Sequence, residues 1–253
     1  MLRLYASICE TNDGTVHFPP TRVVSLENTL SGVILPLAEA KRISEFVRSY
    51  PVPAGTPPIA MHLDAARIFD GIAGENGLDD SGDNPITLKH YAACFDSLSI
   101  CLSKGLGAPM GSIIVGSASF IARAKWYRKM FGGGVRQPGM MAAAALSAME
   151  YSIPRLPGVH SMTKAVGREL EKLGYTFKLP VQTNMVVLDL AAAGIPGSAF
   201  VEYCAAHNLA TFDNGRLVFH HQITEKSSWA LVSALARLMQ DKKDGVVGEE
   251  KEV

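Results

Sequence analysis

The sequence predicts an α/β protein, with a larger N-terminal part built on a mostly parallel sheet and a smaller C-terminal α/β part. Short apolar runs alternate with amphipathic stretches along the chain, as strands alternate with the helices that pack on them. Hydrophobic residues make up 47% of the 253 residues, which is enough to bury a large core. Lys plus Arg and Asp plus Glu both number 24, so the net charge is zero. Neither nucleic acid nor a membrane is therefore an expected partner.

Four short apolar runs in the first part predict buried strands. They are Thr21–Glu27, Ile59–Leu63, Ser97–Cys101 and Gly111–Gly116. Leu37–Tyr50 predicts a helix, because its apolar side chains recur at helical spacing, and the prolines of PVPAGTPP end it. The Ala- and Met-rich run Met140–Tyr151 predicts a buried helix whose methionines fill a core.

A change of domain is predicted near SIPRLPG, residues 152–158. It divides the chain into a partial large domain (1–151), a small domain (152–241) and a charged tail (242–253) that is expected to be disordered. The small domain has alternating predicted helices and strands, namely helix Ser161–Leu173, strand Met185–Leu190, helix Gly197–His207, strand Arg216–His220 and helix Lys226–Met239.

The cysteines and the hydropathy pattern both predict a cytoplasmic protein. Cys9, Cys94, Cys101 and Cys204 lie far apart without CxxC spacing, which is typical of reduced thiols. No apolar run approaches the roughly 18–20 residues that cross a bilayer. The N-terminus also lacks a long apolar stretch followed by a small-residue cleavage site.

Lys104 is the first residue whose surroundings suggest chemistry. It follows the predicted strand Ser97–Cys101 in the segment SKGLGAPMGS. The small residues around it let a bulky planar group approach the backbone, and a confined amine has a lowered pKa and is more nucleophilic. These are the requirements for attaching an aldehyde cofactor covalently. A lysine at the end of a strand is also commonly a solvated surface residue, and spacing alone leaves both interpretations open.

Asp64 ends the predicted strand Ile59–Leu63, and Arg67 follows three residues later. A carboxylate at the carboxyl end of a sheet strand faces the usual ligand crevice, where it could keep a pyridine nitrogen protonated. A carboxylate at a helix start with a nearby arginine is the structural alternative. His62 is expected to be structural, on the strand face opposite to Asp64. No His, Cys and Asp cluster has metal-ligand spacing, so no bound metal is predicted.

The segment RKMFGGGVRQPG, residues 128–139, combines three glycines with Lys129 and Arg136. Such a segment could bind a phosphate through backbone N–H groups and charge. The order of its glycines and lysine differs from a Walker A loop. A flexible basic turn explains the same residues equally well.

Six segments occur in an order that resembles the low-specificity threonine aldolases, which have the aspartate-aminotransferase-like fold type I. They are VVSLENTLSGVILPL, MHLDAARIFDG, FDSLSICLSKGLGAPMGSIIVG, RKMFGGGVRQPGMMAAAAL, TNMVVLDL and GRLVFHHQIT. The resemblance covers roughly His17 to Met239. It implies a lyase that uses pyridoxal 5'-phosphate to cleave β-hydroxy-α-amino acids such as threonine into glycine and an aldehyde, in a homo-oligomer with shared active sites.

The resemblance also implies a role for each matching residue. Lys104 would carry the cofactor and Asp64 would pair with its pyridine nitrogen. Lys129 and Arg136 would approach the cofactor phosphate across a subunit boundary.

The resemblance gives three further residues roles at the substrate. Arg67 would lie beside the cofactor hydroxyl and the substrate carboxylate, and Arg216 would bind that carboxylate. His17 would lie near the substrate hydroxyl.

The chain departs from the family pattern in ways that leave alternatives open. Ala65 stands where the family commonly has glycine, and Pro138 where a small residue is usual. Typical members also carry an earlier region with a phosphate-binding Gly-Thr turn and a histidine that stacks on the pyridine ring. A different fold type I lyase or racemase, a truncated non-catalytic homologue, or a site completed by another polypeptide therefore remain alternatives.

Overall fold

The computed structural model describes residues 20–53, 55–77 and 85–247, which form two compact units. The first unit contains the chain up to Thr29 and Leu35–Met149. The second contains Leu30–Ile34 and the chain from Glu150 onward.

The first unit is built on a four-stranded sheet with the order β1-β2-β3-β4. Its strands are β1 (Val23–Glu27), β2 (Ala60–Asp64), β3 (Ser97–Cys101) and β4 (Ser112–Gly116). β1, β2 and β3 are parallel, whereas β4 runs antiparallel to β3. The predicted, mostly parallel sheet is therefore confirmed. Because the three parallel strands point the same way, their carboxyl ends meet at one edge of the sheet.

One face of this sheet packs against three helices and the other is polar. The helices are α1 (Leu37–Ser49), α2 (Ile68–Asn76) and α3 (Leu88–Ala92). Met61 and Leu63 of β2 and Leu98 of β3 are at most 2% exposed in the core beneath them. Side chains alternate between faces along a strand, so the opposite face carries His62, Asp64 and the intervening serines of β3.

Two further helices, α4 (Ala118–Met130) and α5 (Gly139–Ser152), follow β4. Helix α4 has no buried residue, and Ser112–Val115 of β4 are exposed. The prediction for Met140–Tyr151 is right about the helix and wrong about its burial, since Met140 is 78% exposed. Alanine, methionine and leucine favour a helix locally, but the described residues supply no apolar layer to cover this one.

The second unit packs three helices against a two-stranded antiparallel sheet. Its elements are a 3-10 turn (Ile153–Arg155), α6 (Leu156–Lys172), β5 (Met185–Val187), α7 (Gly197–Ala206), β6 (Arg216–Val218) and α8 (Glu225–Lys243). Both strands are shorter than the sequence predicts. Val186, Leu188 and Phe200 form its core with the apolar sides of α6 and α8, all three being fully buried. No helix among the described residues is long and apolar enough to cross a membrane.

Candidate active site

Asp64 lies at the carboxyl edge of the sheet, at the end of β2. In register, it is beside Glu27 of β1 and Ser99 of β3. Its Oδ1 accepts a hydrogen bond from the Ala66 N–H (3.0 Å), and the side chain is otherwise exposed. Ala65, which stands in the place of a family glycine, does not have a positive φ and so adds no backbone strain there. The carboxylate is thus held by its own loop and faces outward.

Asn28 organises this edge, and sequence reasoning overlooked it. Its backbone N–H donates to the Asp64 carbonyl (2.9 Å), and its carbonyl accepts from the Arg67 N–H (3.2 Å). Its fully buried side chain donates through Nδ2 to the Leu35 carbonyl (3.2 Å) and accepts the Leu35 N–H through Oδ1 (3.3 Å). Asn28 therefore ties the end of β1 to the Asp64–Arg67 segment. A polar residue directly after an apolar strand is the signal that could have revealed it.

Lys104 lies on a tight turn beyond β3, at the same edge as Asp64. The Gly107 N–H donates to the Lys104 carbonyl (2.9 Å), and Gly107 has a φ of 75°, a left-handed conformation that favours glycine. The base of the loop is closed by two more bonds, from Leu102 N–H to the Gly111 carbonyl (3.0 Å) and from Ala108 N–H to the Leu102 carbonyl (2.9 Å). The side chain of Lys104 is exposed while its backbone is held.

Cys101 is a second residue near Lys104 that the sequence did not single out as functional. It ends β3, and its Sγ lies 3.5 Å from the Ser103 hydroxyl. Partial burial would raise the pKa of the Cys101 thiol, but hydrogen bonds from Ser103 and the charge of Lys104 outweigh burial and lower that pKa. The positive charge of Lys104 therefore acts on the Cys101 thiol at the end of β3.

His62 lies on the polar face of the sheet. Its Nδ1 is 2.8 Å from the Ser97 hydroxyl, and its Nε2 is 3.5 Å from the Ser99 hydroxyl. These contacts agree with the structural role expected of it. The expected placement opposite Asp64 was wrong, because residues two apart in a strand point to the same face.

The glycine segment after α4 ends that helix. The Gly132 N–H donates to the Lys129 carbonyl (3.1 Å) and the Gly133 N–H to the Arg128 carbonyl (2.8 Å), so both are used to cap α4. A Cβ on Gly134 would come within 2.9 Å of Lys129 Cδ, so the Lys129 chain lies along the turn. Any phosphate affinity here would rest mainly on the exposed side chains of Lys129 and Arg136.

Arg216 begins β6 in the second unit and is half-buried. Its Nη2 lies 3.7 Å from Met185 Sδ, a weak acceptor, and its backbone N–H donates to Asn214 Oδ1 (3.0 Å). It also lines a cavity of about 340 Å³ whose walls include Leu217 and Phe219. A planar guanidinium that lies beside a cavity and has only a weak hydrogen-bond acceptor at this nitrogen suits a carboxylate ligand. His17, the remaining predicted site residue, lies outside the described residues.

The fold is that of the fold type I enzymes, as the sequence predicted. Threonine aldolase from Leishmania major superimposes with a TM-score of 0.68 over 93% of this chain and 66% of that chain, at 17% identity. The chain belongs to the beta-eliminating lyase family, whose model matches residues 3–193.

Two curated relatives are similar in sequence to most of this chain. The low-specificity L-threonine aldolase of Candida albicans is 38% identical over 216 residues, which are 85% of this chain and 54% of that protein. The alanine racemase TOXG of Cochliobolus carbonum is 34% identical over 233 residues, which are 89% of this chain and 56% of that protein. The resemblance to threonine aldolases is thereby confirmed. The chain spans about half the length of these relatives.

Proposed function

We propose that this chain provides the lysine-bearing part of a pyridoxal-phosphate-dependent aldolase that cleaves β-hydroxy-α-amino acids such as threonine into glycine and an aldehyde. One observation carries the proposal: an exposed lysine on a tight glycine turn and a strand-end carboxylate both lie at the same edge of a parallel sheet. This edge is the usual ligand crevice of open α/β sheets.

The residues at this edge fit the cofactor chemically. Lys104 offers a primary amine beside Gly105, Gly107 and Ala108, which are small enough to leave room for a planar ring. Asp64 offers an outward carboxylate on a fixed backbone. When bound, pyridoxal phosphate supplies an aldehyde that links to an amine and a pyridine ring that accepts an electron pair.

The chain's own groups then have distinct tasks. Lys104 would hold the cofactor through its side-chain amine. Asp64 would keep the pyridine nitrogen of the cofactor protonated, because a neighbouring negative charge favours the protonated form. Arg216 and Arg67 bind the substrate carboxylate through planar donors. His17 takes the proton from the substrate β-hydroxyl, directly or through water, while the Cα–Cβ bond breaks.

The surface formed by β4, α4 and α5, called the β4–α5 surface below, supports a homo-oligomer. Trp126 is 61% exposed, Phe131 79% and Met140 78%, so these elements expose large apolar side chains of the kind that interfaces bury. We propose that a second copy buries this surface and that Lys129 and Arg136 on it bind the cofactor phosphate in the partner's site. A cytoplasmic location is part of the same proposal.

The oligomer is tested by light scattering of Phe131→Asp against Val246→Asp. Both residues are exposed apolar side chains, and Val246, at 70% exposure, lies outside the β4–α5 surface. Phe131→Asp should lower the molar mass toward that of one chain, because it buries an unpaired charge in the interface. Val246→Asp should not change the mass. A monomeric parent protein would refute the shared site.

The function is tested by incubating the protein with pyridoxal phosphate, reducing with borohydride and locating the added mass on Lys104. Aldehyde release from threonine and phenylserine is then compared between the parent, Lys104→Ala and Lys41→Ala, an exposed lysine of α1. Only Lys104→Ala should lose both the label and the activity. Equal rates of the parent and Lys104→Ala would refute the assignment.

A racemase is a second candidate, favoured by the 34% identity to the alanine racemase TOXG. The same lysine and carboxylate would serve it, since residues at the cofactor do not determine which substrate bond breaks. Incubation with L-alanine and L-threonine separates the two functions: D-alanine indicates the racemase, and glycine with acetaldehyde indicates the aldolase.

A further inference from the structure

Asp70 is a buried carboxylate beside the turn that carries Lys104. It lies in the first turn of α2 and is 3% exposed. A Cβ built on Gly105, the residue after Lys104, would lie 3.1 Å from Asp70 Oδ2 and 3.9 Å from Oδ1. A side chain at position 105 would therefore be crowded against this carboxylate, and the carboxylate or the turn would have to shift by a few tenths of an ångström.

A carboxylate in this place has a physical cost that an apolar residue would avoid. Burying a charge is unfavourable unless polar groups or dipoles compensate. The first turn of a helix compensates in part, because the N-terminal end of the helix dipole is positive. The backbone of the Lys104–Gly107 turn lies beside the carboxylate, and Leu106 of that turn is only 4% exposed.

The turn is anchored at its base and at its apex by different parts of the unit. The bonds of Leu102 to Gly111 and of Ala108 to Leu102 close the base. The Asp70 carboxylate lies beside the apex, next to Gly105, the residue that directly follows Lys104. Helix α2 begins beside Asp64, so the helix that holds the turn starts from the loop that carries the second proposed cofactor residue.

We propose that Asp70 is a positioning residue that holds the Lys104–Gly107 turn, so that the Lys104 amine is presented at the carboxyl edge of the sheet. The proposal rests on the proposed function, since it takes Lys104 as the attachment lysine. It makes Asp70 and Gly105 a coupled pair. A smaller residue at 70 frees the turn, and a larger residue at 105 displaces it.

Two measurements on the full chain test this. The first is the pyridoxal phosphate concentration that half-saturates borohydride labelling of Lys104. The second, made without cofactor, is the rate at which lysyl endopeptidase cuts between Lys104 and Gly105, followed by mass spectrometry. The variants are Asp70→Ala, Asp70→Asn and Gly105→Ala, with Glu45→Ala, an exposed acid of α1, as the control.

Asp70→Ala and Gly105→Ala should each raise the half-saturating concentration about tenfold and speed the cut after Lys104, because a misplacement of about 1 Å costs about 10²-fold and a smaller displacement costs less. Asp70→Asn keeps the side-chain shape and an acceptor oxygen. Its half-saturating concentration and its cleavage rate should therefore stay close to those of the parent protein. Glu45→Ala should match the parent protein.

Parent-like labelling and cleavage in both Asp70→Ala and Gly105→Ala would overturn the proposal. So would an Asp70→Asn protein as impaired as Asp70→Ala while its melting temperature falls equally, because that pattern indicates a general structural role. If Lys104 of the parent takes no label, the proposed function fails. The cleavage rates of the cofactor-free variants still decide whether Asp70 holds the turn.

Discussion

Replacing Gly71 by alanine is expected to destabilise the first unit, although alanine is the better helix former. Gly71 is buried in α2, and a Cβ there would stand 2.8 Å from Asn28 Oδ1 and 3.1 Å from Asn28 Cγ. Alanine in a helix interior contributes about 0.5–1 kcal/mol relative to glycine. Relieving the overlap costs about 1–3 kcal/mol. Moving Asn28 also weakens its two side-chain bonds to Leu35, at about 0.5–1.5 kcal/mol each.

The net expectation is a loss of roughly 1–5 kcal/mol in the free energy of unfolding, with the upper end reached if both Asn28 side-chain bonds are lost. Gly167→Ala is the matched control, because Gly167 is also buried in a helix, α6, and its added Cβ would lie 3.5 Å from Val181 Cγ2, an ordinary contact. Gly167→Ala should stabilise the protein by up to about 1 kcal/mol. Urea denaturation followed by circular dichroism measures both changes.

The reasoning is refuted if Gly71→Ala is as stable as the parent or more stable. A second comparison isolates the contact itself. Asn28→Ala removes the atoms that Gly71→Ala would strike, so the double variant should be at least as stable as Asn28→Ala alone. Additive losses in the double variant would place the effect of Gly71→Ala elsewhere.

Three further predictions concern charge. Asp64→Asn should lower the rate of aldehyde release roughly 10²-fold, which is the scale of losing an acid–base group. The melting temperature should not change, because the Asp64 side chain is exposed. An unchanged rate would show that Asp64 has no part in the mechanism. Burial and, to a lesser extent, the charge of His221 lower the pKa of His220 in the folded protein below 6.5. As the pH drops, His220 is therefore protonated in the unfolded chain before it is protonated in the folded protein, and stability should fall below pH 6.5. His220→Gln should flatten this loss between about pH 7.5 and about pH 5.5 in thermal melts, and an unchanged slope counts against it. Hydrogen bonds from Tyr203 and Arg237 lower the pKa of Asp241 below 3.8 despite partial desolvation, so its carboxylate stabilises the fold above pH 3.8 and the effect disappears as the pH falls further. The urea midpoints of Asp241→Asn and the parent should differ at neutral pH and converge at low pH, and a constant gap would show that charge is not the cause.

Several features of the fold and site were predictable because they are local. The strands β1 to β4 are apolar runs with sharp polar or glycine boundaries, and each was located within two residues. The carboxyl ends of parallel strands share an edge, so Asp64 and the Lys104 turn could be expected together. The positive φ of Gly107 and of Gly111 agrees with the small residues noted around Lys104. The chemical roles of these residues stay predictions.

Other features depend on contacts between residues far apart in sequence. Asn28 donates to the Asp64 carbonyl at the end of the neighbouring strand, and Asp70 lies beside Gly105 across a span that includes β3. Neither pair has a periodic pattern, because one buried polar contact leaves no repeat in the sequence. The glycines after α4 are a further case. The sequence does not show that the N–H groups of Gly132 and Gly133 donate to carbonyls at the end of α4.

The sequence by itself indicated the strands of the first unit, the helices α1 and α5 to α8, and the lysine and carboxylate that stand at the ends of strands, because these follow from local apolar patterns and backbone preferences. Helices α2, α3 and α4 were not predicted. The tertiary structure alone decided burial and support. Helix α5 has the composition of a core helix and yet is exposed, since burial depends on whether another layer lies against it. Asp70 looks like a surface acid in the sequence and yet is buried against the Lys104 turn, since only the packing of α2 brings its carboxylate there.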